Sequence, residues 1–363
     1  MAGGLSALFG KDRTMKAKWV GMVAVVVGLG IVSAAQADFP SFPICTFNAD
    51  KGRADISGDI VVWVDQRNGP EGNDDIYGRR LGGGSEFPIC TASGAQFYPA
   101  ISGNVVVWVD QRNGNNDIYA KDLSNGREIA ICTDLADQQM PAISGNMVVW
   151  QDDRNGNSNI YGYDLSKGQE VPICTAIGEQ GIPRISGNVV VWVDQQAGPQ
   201  VYTYDLSTQS KRQIGAGTWA SVSGNFVVWV DGRNGLSDIY GYDLSKGSEV
   251  EICTARYYQE APAISGNLVV WHDNRNDVTS HDIYGYDLLT GREFEVCTAE
   301  GSQETPRISG QTVVWMDYRN GTFPDIYGAV IPEPATLSLL ALGGLAVIRR
   351  RHISHKTRKG AGQ

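Results

Sequence analysis

The chain has 363 residues, of which 42% are apolar, enough to build a large buried core. It carries 30 lysines and arginines against 40 aspartates and glutamates, a formal net charge of −10. Because the two ends are basic, residues 38–331 hold 20 basic and 38 acidic side chains, a net charge of −18. Nucleic acid and anionic membranes repel such a body, which excludes both as partners and leaves cations, basic proteins and neutral glycans.

The first 37 residues have the pattern of a secretory signal peptide. Lys16 and Lys18 precede an apolar run over residues 19–33, and Ala35 and Ala37 supply the small residues of a cleavage site. We predict export through the Sec translocon and cleavage by signal peptidase after Ala37. A retained membrane anchor is the alternative, but the run is short and ends in that cleavage site.

Residues 38–331 are predicted to form one domain built from seven copies of a repeat. A tryptophan marks each copy, and the spacings between them are 45, 42, 42, 37, 42 and 44 residues. A period in the forties with several short strands is typical of a β-propeller. We therefore predict an all-β fold of seven blades, with six or eight blades as alternatives. The marker residues are Trp63, Trp108, Trp150, Trp192, Trp229, Trp271 and Trp315.

Three turn signals divide each repeat into four antiparallel strands. Ser-Gly-Asn, Arg-Asn-Gly and a third Gly-containing turn recur, and Asn and Gly tolerate the positive φ that tight hairpins need. In the second copy these turns predict strands over residues 98–102, 105–110, 117–123 and 128–133. The second of these strands is apolar almost throughout, so we expect stacked blades to bury both of its faces.

The two ends of the repeat array are out of phase. Residues 42–46 match the fourth strand of a repeat, while the last copy stops after its third strand, residues 325–327. We predict that the N-terminal segment supplies the outer strand of the last blade. That pairing closes the ring and removes an open sheet edge.

All six cysteines occupy the same position on the predicted outer strand. Equivalent positions on neighbouring blades are expected to lie beyond the ~7 Å Cα separation that a disulfide spans. We therefore predict free thiols buried between blades, although six cysteines in an exported protein suggest three disulfides. They are Cys45, Cys90, Cys132, Cys174, Cys253 and Cys297.

A Trp-x-Asp-x-Arg pattern is the densest polar motif, and the fourth copy departs from it with Asp194 and Gln196. Every blade needs a structural brace, whereas seven copies of one catalytic or metal site are not needed. We predict that each Asp and Arg pair holds a hairpin turn of its own blade, and we predict no cofactor. A ring of carboxylates that binds Ca²⁺ is the alternative. The pairs are Asp65 and Arg67, Asp110 and Arg112, Asp152 and Arg154, Asp231 and Arg233, Asp273 and Arg275, and Asp317 and Arg319.

Two further features are candidates for ligand binding. The loop entering most inner strands carries a glutamine three residues before a proline, where its amide would meet sugar hydroxyls or satisfy its own loop. Irregular copies of the repeat add three aromatic residues, Trp219, Tyr257 and Tyr258. Their rings suit stacking on sugar rings or contact with a protein. The alternative is sequence drift in loops that tolerate change. The glutamines are Gln96, Gln138, Gln180, Gln259 and Gln303.

The C-terminal end has three parts: Pro332, Glu333 and Pro334, an apolar run over residues 335–348, and Arg349, Arg350 and Arg351. Such a run is short for a stable span, and the arginines favour the cytoplasmic side. The order of the parts resembles the PEP-CTERM sorting signal of exported bacterial proteins. That resemblance implies a short transmembrane helix within residues 332–351, a cytoplasmic basic tail over 352–363, and processing by exosortase, a membrane protease.

The Ile-Ser-Gly, Val-Val-Trp-x-Asp, Asp-Ile-Tyr and Asp-Leu-x-x-Gly elements resemble the TolB-type β-propeller repeats over most of residues 40–330. The resemblance implies a protein-interaction platform more than an enzyme. The sequence departs from the Tol-system protein in having seven units instead of six, so we do not expect a direct role in that system.

Taken with the sorting signal, the repeats predict an exported, non-catalytic propeller. Its expected place is the cell envelope or the extracellular matrix, where it would bind polysaccharide or an envelope protein. The propeller contains two histidines, His272 and His281, and neither a Gly-x-Ser-x-Gly nor a His-Glu-x-x-His motif. A glycan-active enzyme that uses loop carboxylates is one alternative, and a TolB-like periplasmic platform is another.

Overall fold

The computed structural model describes residues 39–69 and 73–332. In this part of the chain, 28 strands form seven four-stranded antiparallel sheets arranged as the blades of a propeller. The seven-bladed all-β prediction is therefore confirmed. The predicted signal peptide with its cleavage site at Ala35 and Ala37, most of the sorting signal and the basic tail lie outside the described residues.

The blades follow one another along the chain, each running from an inner strand at the channel to an outer strand at the rim. The first strand is β1 (Ser41–Cys45), and blade 1 is β2 (Lys51–Ser57), β3 (Ile60–Asp65), β4 (Asp75–Arg80) and β5 (Phe87–Cys90). Blades 2 and 3 are β6 (Gln96–Ser102), β7 (Val105–Asp110), β8 (Asp117–Asp122), β9 (Arg127–Cys132), and β10 (Gln138–Ser144), β11 (Met147–Asp152), β12 (Asn159–Asp164), β13 (Gln169–Cys174).

Blades 4 to 7 repeat this order, with small shifts in strand length. Blade 4 is β14 (Gln180–Ser186), β15 (Val189–Asp194), β16 (Gln200–Asp205) and β17 (Ser210–Ala216), and blade 5 is β18 (Thr218–Ser223), β19 (Phe226–Asp231), β20 (Asp238–Asp243) and β21 (Ser248–Cys253). Blade 6 is β22 (Gln259–Ser265), β23 (Leu268–Asp273), β24 (Asp282–Asp287) and β25 (Arg292–Cys297), and blade 7 is β26 (Gln303–Ser309), β27 (Thr312–Asp317), β28 (Asp325–Val330) and β1.

The last blade is closed by the N-terminal strand, as predicted. Strand β1 pairs antiparallel with β28, with Ser41 opposite Ala329 and Cys45 opposite Ile326. A buried ion pair adds a second tie, because Lys51 Nζ of blade 1 lies 3.3 Å from Asp325 Oδ1 of blade 7. The ring is therefore held by backbone pairing and by charge where its first and last blades meet.

The second strand of each blade is apolar because the neighbouring blades bury it. The side chains of β3, for example, are buried on both faces, and all seven marker tryptophans are fully buried. Trp108 of blade 2 packs against Ile60, Val62 and Ile76 of blade 1, and the other interfaces repeat this arrangement. Each tryptophan thus fills the space between its own sheet and the preceding one.

A serine ring joins the inner ends of all seven blades. Ser57 Oγ of blade 1 accepts a hydrogen bond of 2.9 Å from the backbone N–H of Gly103 in blade 2. The same bond recurs between every pair of successive blades, including one from Gly58 to Ser309 across the closure. The recurring Ile-Ser-Gly element is therefore an interblade connection as well as a turn.

The predicted brace is built around a buried carboxylate. Asp110 accepts hydrogen bonds from Trp108 Nε1 (2.8 Å) and from the backbone N–H and Nε of Arg112 (2.9 Å each). Burial raises the pKa of Asp110, but the bonds from Arg112 and Trp108 outweigh it and leave the pKa below its ordinary value. The carboxylate therefore stays charged and holds both the turn and the tryptophan.

The arginine of the brace also reaches the preceding blade. Arg112 Nη2 lies 3.2 Å from the Cys90 Sγ on the outer strand of blade 1, and its guanidinium stacks 4.2 Å from the Tyr119 ring centroid. Burial raises the pKa of the Cys90 thiol to about 11, so the sulfur remains neutral. All six cysteines are buried, and none forms a disulfide in the described part of the chain, as predicted.

Blade 4 replaces the missing arginine with a lysine from another strand. Gln196 stands where the other blades have arginine, and Lys211 of β17 donates to Cys174 Sγ at 3.4 Å. The Lys211 ammonium lies 4.4 Å from the Tyr202 ring centroid. Trp192 Nε1, however, is buried without a hydrogen-bond partner, so this brace is incomplete.

We expect Asp110→Ala to lower the free energy of unfolding by about 3 kcal/mol, because it leaves a guanidinium and an indole N–H without their acceptor. Asp194→Ala, in the blade without the arginine, is the matched control and should lower the free energy of unfolding by less. Urea unfolding of both variants measures the difference, and equal losses would contradict the brace. Since the pKa of Asp110 is lowered, its contribution is present above about pH 4 and is lost as pH falls further.

Candidate functional site

The seven inner strands surround a central channel that contains a cavity of about 200 Å³. Each inner strand has a bulge at the same place, where two residues oppose the marker tryptophan of the second strand. In blade 2 the bulge lies between Phe97 and Ala100, and it contains Tyr98 and Pro99. Proline fits there because a bulge residue needs no ladder hydrogen bond.

The first bulge residue is held in the left-handed region of φ in six of the seven blades. Tyr98 has φ of 54° and Trp219 has φ of 52°, a conformation that costs a non-glycine residue about 1–2 kcal/mol. Because the strain recurs around the ring, it belongs to the architecture. The residue at this position lines the cavity in six blades, at what we call the mouth tier: Arg53, Tyr98, Met140, Ile182, Trp219 and Ala261. Arg53 lines the cavity without the strained φ, and Thr305 of blade 7 has the strained φ but is not part of the lining.

A second set of cavity residues lies two positions further along each inner strand. We call it the inner tier, and its members are Asp55, Ala100, Ala142, Arg184, Ser221, Ala263 and Arg307. The turn, marker-tryptophan and brace positions carry nearly the same residue in most blades, whereas the two tiers vary from blade to blade, as does the residue just before the mouth tier. The repeat therefore keeps its framework uniform and changes the side chains that face the channel.

Three arginines and one aspartate bring charge into the cavity. The Arg53 guanidinium lies 4.4 Å from the Tyr98 ring centroid and 5.8 Å from that of Trp219. Arg184 donates to the carbonyl of its own neighbour Pro183 at 2.9 Å, and Arg307 does the same to Pro306. Within the described residues, none of the three arginines makes an ion pair, in contrast to the brace arginines.

The confined charges alter one another's titration. Burial lowers the pKa of Arg184 to about 9, and repulsion from Arg307 and Arg53 adds to the effect. Burial likewise lowers the pKa of Arg53 and Arg307, and it raises the pKa of Asp55. The arginines nevertheless remain protonated at pH 7, so the cavity is positive inside an acidic protein.

The five loop glutamines lie beneath the surface of their loops. All five are fully buried, and each donates its amide to carbonyl groups of its own loop. Gln138 Nε2, for example, lies 2.6 Å from the Ala136 carbonyl. Lys51 takes the equivalent position in blade 1. These residues hold loops together and contribute nothing to the cavity wall.

Four of the five loop glutamines have a buried amide oxygen without a hydrogen-bond partner. Gln96 Oε1 and Asp75 Oδ1 are both buried without a partner. In blades 3 and 4 the equivalent pair is satisfied, because Asn159 replaces the aspartate and its amide donates to Gln180 Oε1 at 3.2 Å. Burial raises the pKa of Asp75. The position therefore favours a neutral group with a hydrogen to donate.

We expect Asp75→Asn to stabilise the fold by about 1 kcal/mol above pH 7, because the new amide supplies the missing donor. Since the pKa of Asp75 is raised in the folded state, its ionisation costs stability, and this cost disappears below about pH 4, where the carboxyl is protonated in both states. The matched control is Asp325→Asn, which removes the partner of Lys51 and should destabilise. Urea unfolding at pH 4 and pH 8 measures both; a destabilised Asp75→Asn would contradict the assignment.

The predicted aromatic residues divide between two places. Trp219 lines the cavity at the mouth tier and is 38% exposed. Tyr258 is 45% exposed on the loop before β22, and Tyr257 stacks there with Arg256 at 4.6 Å. The structure thus places Trp219, and neither tyrosine, in the cavity wall. The sequence signal that finds the cavity is the blade-to-blade variation of the inner strands.

The two histidines of the propeller lie together beside blade 7. The rings of His272 and His281 are 4.7 Å apart, and each contacts a glutamate, Glu260 at 3.7 Å and Glu304 at 3.5 Å. Hydrogen bonding to Glu304 raises the pKa of His281. In the part of the chain that the structure describes, no group of three or more His, Cys, Asp or Glu side chains is placed to hold a metal ion.

Comparison with known proteins identifies the sorting signal and the fold. Residues 330–351 match the PEP-CTERM protein-sorting motif, which implies export, transient membrane anchoring of the C-terminus, and then a surface or extracellular location in bacteria. Across residues 39–69 and 73–332, no helix is long and apolar enough to cross a membrane. No curated protein matches the chain significantly.

Many solved structures share the propeller fold. TolB from Acinetobacter baumannii has a TM-score of 0.52 at 18% identity and covers 69% of this chain and 67% of its own. An oligogalacturonate lyase in complex with manganese has a TM-score of 0.60 at 13% identity, and the match covers 82% of this chain and 99% of the lyase. The β-propeller domain of the Trilobed protease from Pyrococcus furiosus, which has an open velcro topology, has a TM-score of 0.63 at 11% identity. The match covers 77% of this chain and 95% of that domain. At these identities the likeness shows the fold alone. The chain is a seven-bladed β-propeller with a PEP-CTERM motif.

Proposed function

We propose that this protein is an exported binding module that engages extracellular polysaccharide through the mouth of its central channel. The observation that carries the proposal is the variation of the two tiers, which share one cavity, on a repeat whose turns, marker tryptophans and braces are nearly uniform. A repeat protein has no structural need for a different side chain in each blade at one position. Such variation is expected where the blades together form one asymmetric site.

The remaining polar features are used within the fold. The brace residues bind one another, and the loop glutamines bind their own loops. The cavity, in contrast, carries polar and aromatic groups that retain capacity for a ligand. Trp219 offers a partly exposed ring of the kind that stacks on sugars, and Arg53 offers hydrogen-bond donors beside it.

The sorting motif supports an extracellular ligand. The motif directs the protein to the bacterial surface or beyond it, where extracellular polysaccharide is available as a ligand. The three arginines lie at the centre of a domain whose net charge is −18. This distribution disfavours nonspecific adsorption of a polyanion across the surface and leaves the channel mouth as the place for specific contact.

The test is co-sedimentation of the full chain, purified in a mild detergent, with the extracellular polysaccharide of the producing bacterium. We expect binding, and we expect Trp219→Ala to weaken it at least tenfold, as for loss of a central aromatic contact. The fold should tolerate this change because Ala261 occupies the equivalent strained position in blade 6. Tyr258→Ala, another exposed aromatic outside the cavity, is the matched control and should leave binding unchanged.

Each other outcome has a definite meaning. Absence of binding by the unchanged protein would reject a polysaccharide ligand. Loss of binding in Tyr258→Ala alone would move the site to the loop before β22. Release of shortened sugar chains during the incubation would instead show a glycan-active enzyme.

A further inference from the structure

We propose that Arg53, Arg184 and Arg307 form a single anion site in the channel, and that its ligand is the carboxylate of an acidic sugar at a glycan end. This inference rests on the proposed polysaccharide-binding function and names the chemistry of the group bound. It depends on three observations: an excess of positive charge, guanidinium groups held in place, and space between them.

The charge of the three arginines exceeds that of the one carboxylate, Asp55, that lines the cavity with them. A brace arginine such as Arg154 contacts two carboxylates, Asp152 and Glu170. The cavity arginines make no ion pair in the described chain; Asp55 attracts Arg307 and Arg184 through the cavity without pairing directly with either, which leaves an excess of positive charge. Holding like charges together away from bulk water costs free energy, which a bound anion would recover.

The guanidinium groups are positioned before any ligand arrives. Arg184 and Arg307 each use one N–H on a proline carbonyl of their own strand, which leaves further donors for a ligand. Arg53 is held between Tyr98 and Trp219. Binding to donors that are already ordered loses little conformational entropy.

The positions of the arginines leave room for a ligand at the centre. Arg184 and Arg307 belong to the same tier but to blades 4 and 7, on different sides of the ring, and Arg53 lies one tier nearer the mouth. The other inner-tier positions are small, namely Ala100, Ala142, Ser221 and Ala263. Small residues at these positions leave space in the cavity beside the three arginines.

The chemistry of the surroundings favours a carboxylated sugar. A planar guanidinium matches a carboxylate through paired hydrogen bonds, and the rings of Trp219 and Tyr98 at the mouth tier suit the flat face of a sugar. An extended polyanion would meet the acidic surface of the domain. A single acidic residue at the end of a chain places its charge in the cavity and avoids that repulsion.

The test is calorimetric titration of the full chain, in detergent, with an oligosaccharide that ends in glucuronate and with its glucose-ended counterpart. We expect the acidic form to bind at least tenfold more tightly and its affinity to fall as salt rises. Arg184→Met should remove this preference, while Arg127→Met, an exposed arginine on outer strand β9, should retain it. Equal affinities for the two sugars, or an unchanged preference in Arg184→Met, would overturn the proposal.

A stability measurement separates binding from folding. Because Arg184 adds like charge to the cavity, Arg184→Met should raise the melting temperature while it abolishes the acidic preference. A lower melting temperature would indicate a structural arginine and count against the site. Binding of inorganic phosphate or of a peptide carboxylate as tightly as the acidic sugar would overturn the assignment to a sugar.

The two proposals fail in different ways. If the natural polysaccharide binds and depends on Trp219 but not on Arg184, the proposed function stands and the anion site is wrong. If the glucuronate-ended sugar binds through Arg184 while the natural polysaccharide does not sediment with the protein, the anion site stands and the matrix ligand is wrong.

Discussion

The whole structure depends on the burial of one tryptophan in each blade between two sheets. Seven fully buried tryptophans fill the interblade spaces, and truncating such a residue in a core typically costs about 3–5 kcal/mol. The N–H of each buried indole needs a hydrogen-bond acceptor in place of water, and the brace aspartate accepts this bond in most blades. The Trp-x-Asp-x-Arg motif is therefore a consequence of tryptophan burial.

This framework leaves the channel free to vary. The outer parts of each blade repeat because every interface between blades has the same geometric requirement. Channel side chains touch these interfaces too, since Ala142 and Ala263 belong to interblade clusters and Tyr98 packs against one, but the interfaces do not require the same residue at these positions in every blade. The bulge opposite the tryptophan contains the residue with the strained φ beside the channel. Such a backbone conformation persists only where the surrounding packing enforces it. The proposed site thus uses a position that the architecture keeps open.

Much of the fold was predictable from the residues. The tryptophan spacing predicted seven blades, and the phase of the two ends predicted that β1 completes the last sheet. The turns predicted strand bounds that agree with the structure to within one or two residues in the second blade. The glutamines and tyrosines were harder to place, because a sequence pattern does not show whether a loop amide points inward, as Gln138 does, or toward a ligand.

Local patterns by themselves determined the strands, the turns, the closure and the common position of the six cysteines, because each depends on neighbouring residues or on the repeat period. The tertiary structure alone decided that Arg53, Arg184 and Arg307 share one cavity. They are separated by more than a hundred residues along the chain, and nothing near each arginine indicates the other two. They meet because closing a ring of seven blades brings every inner strand to one axis, so residues distant in sequence become neighbours in space.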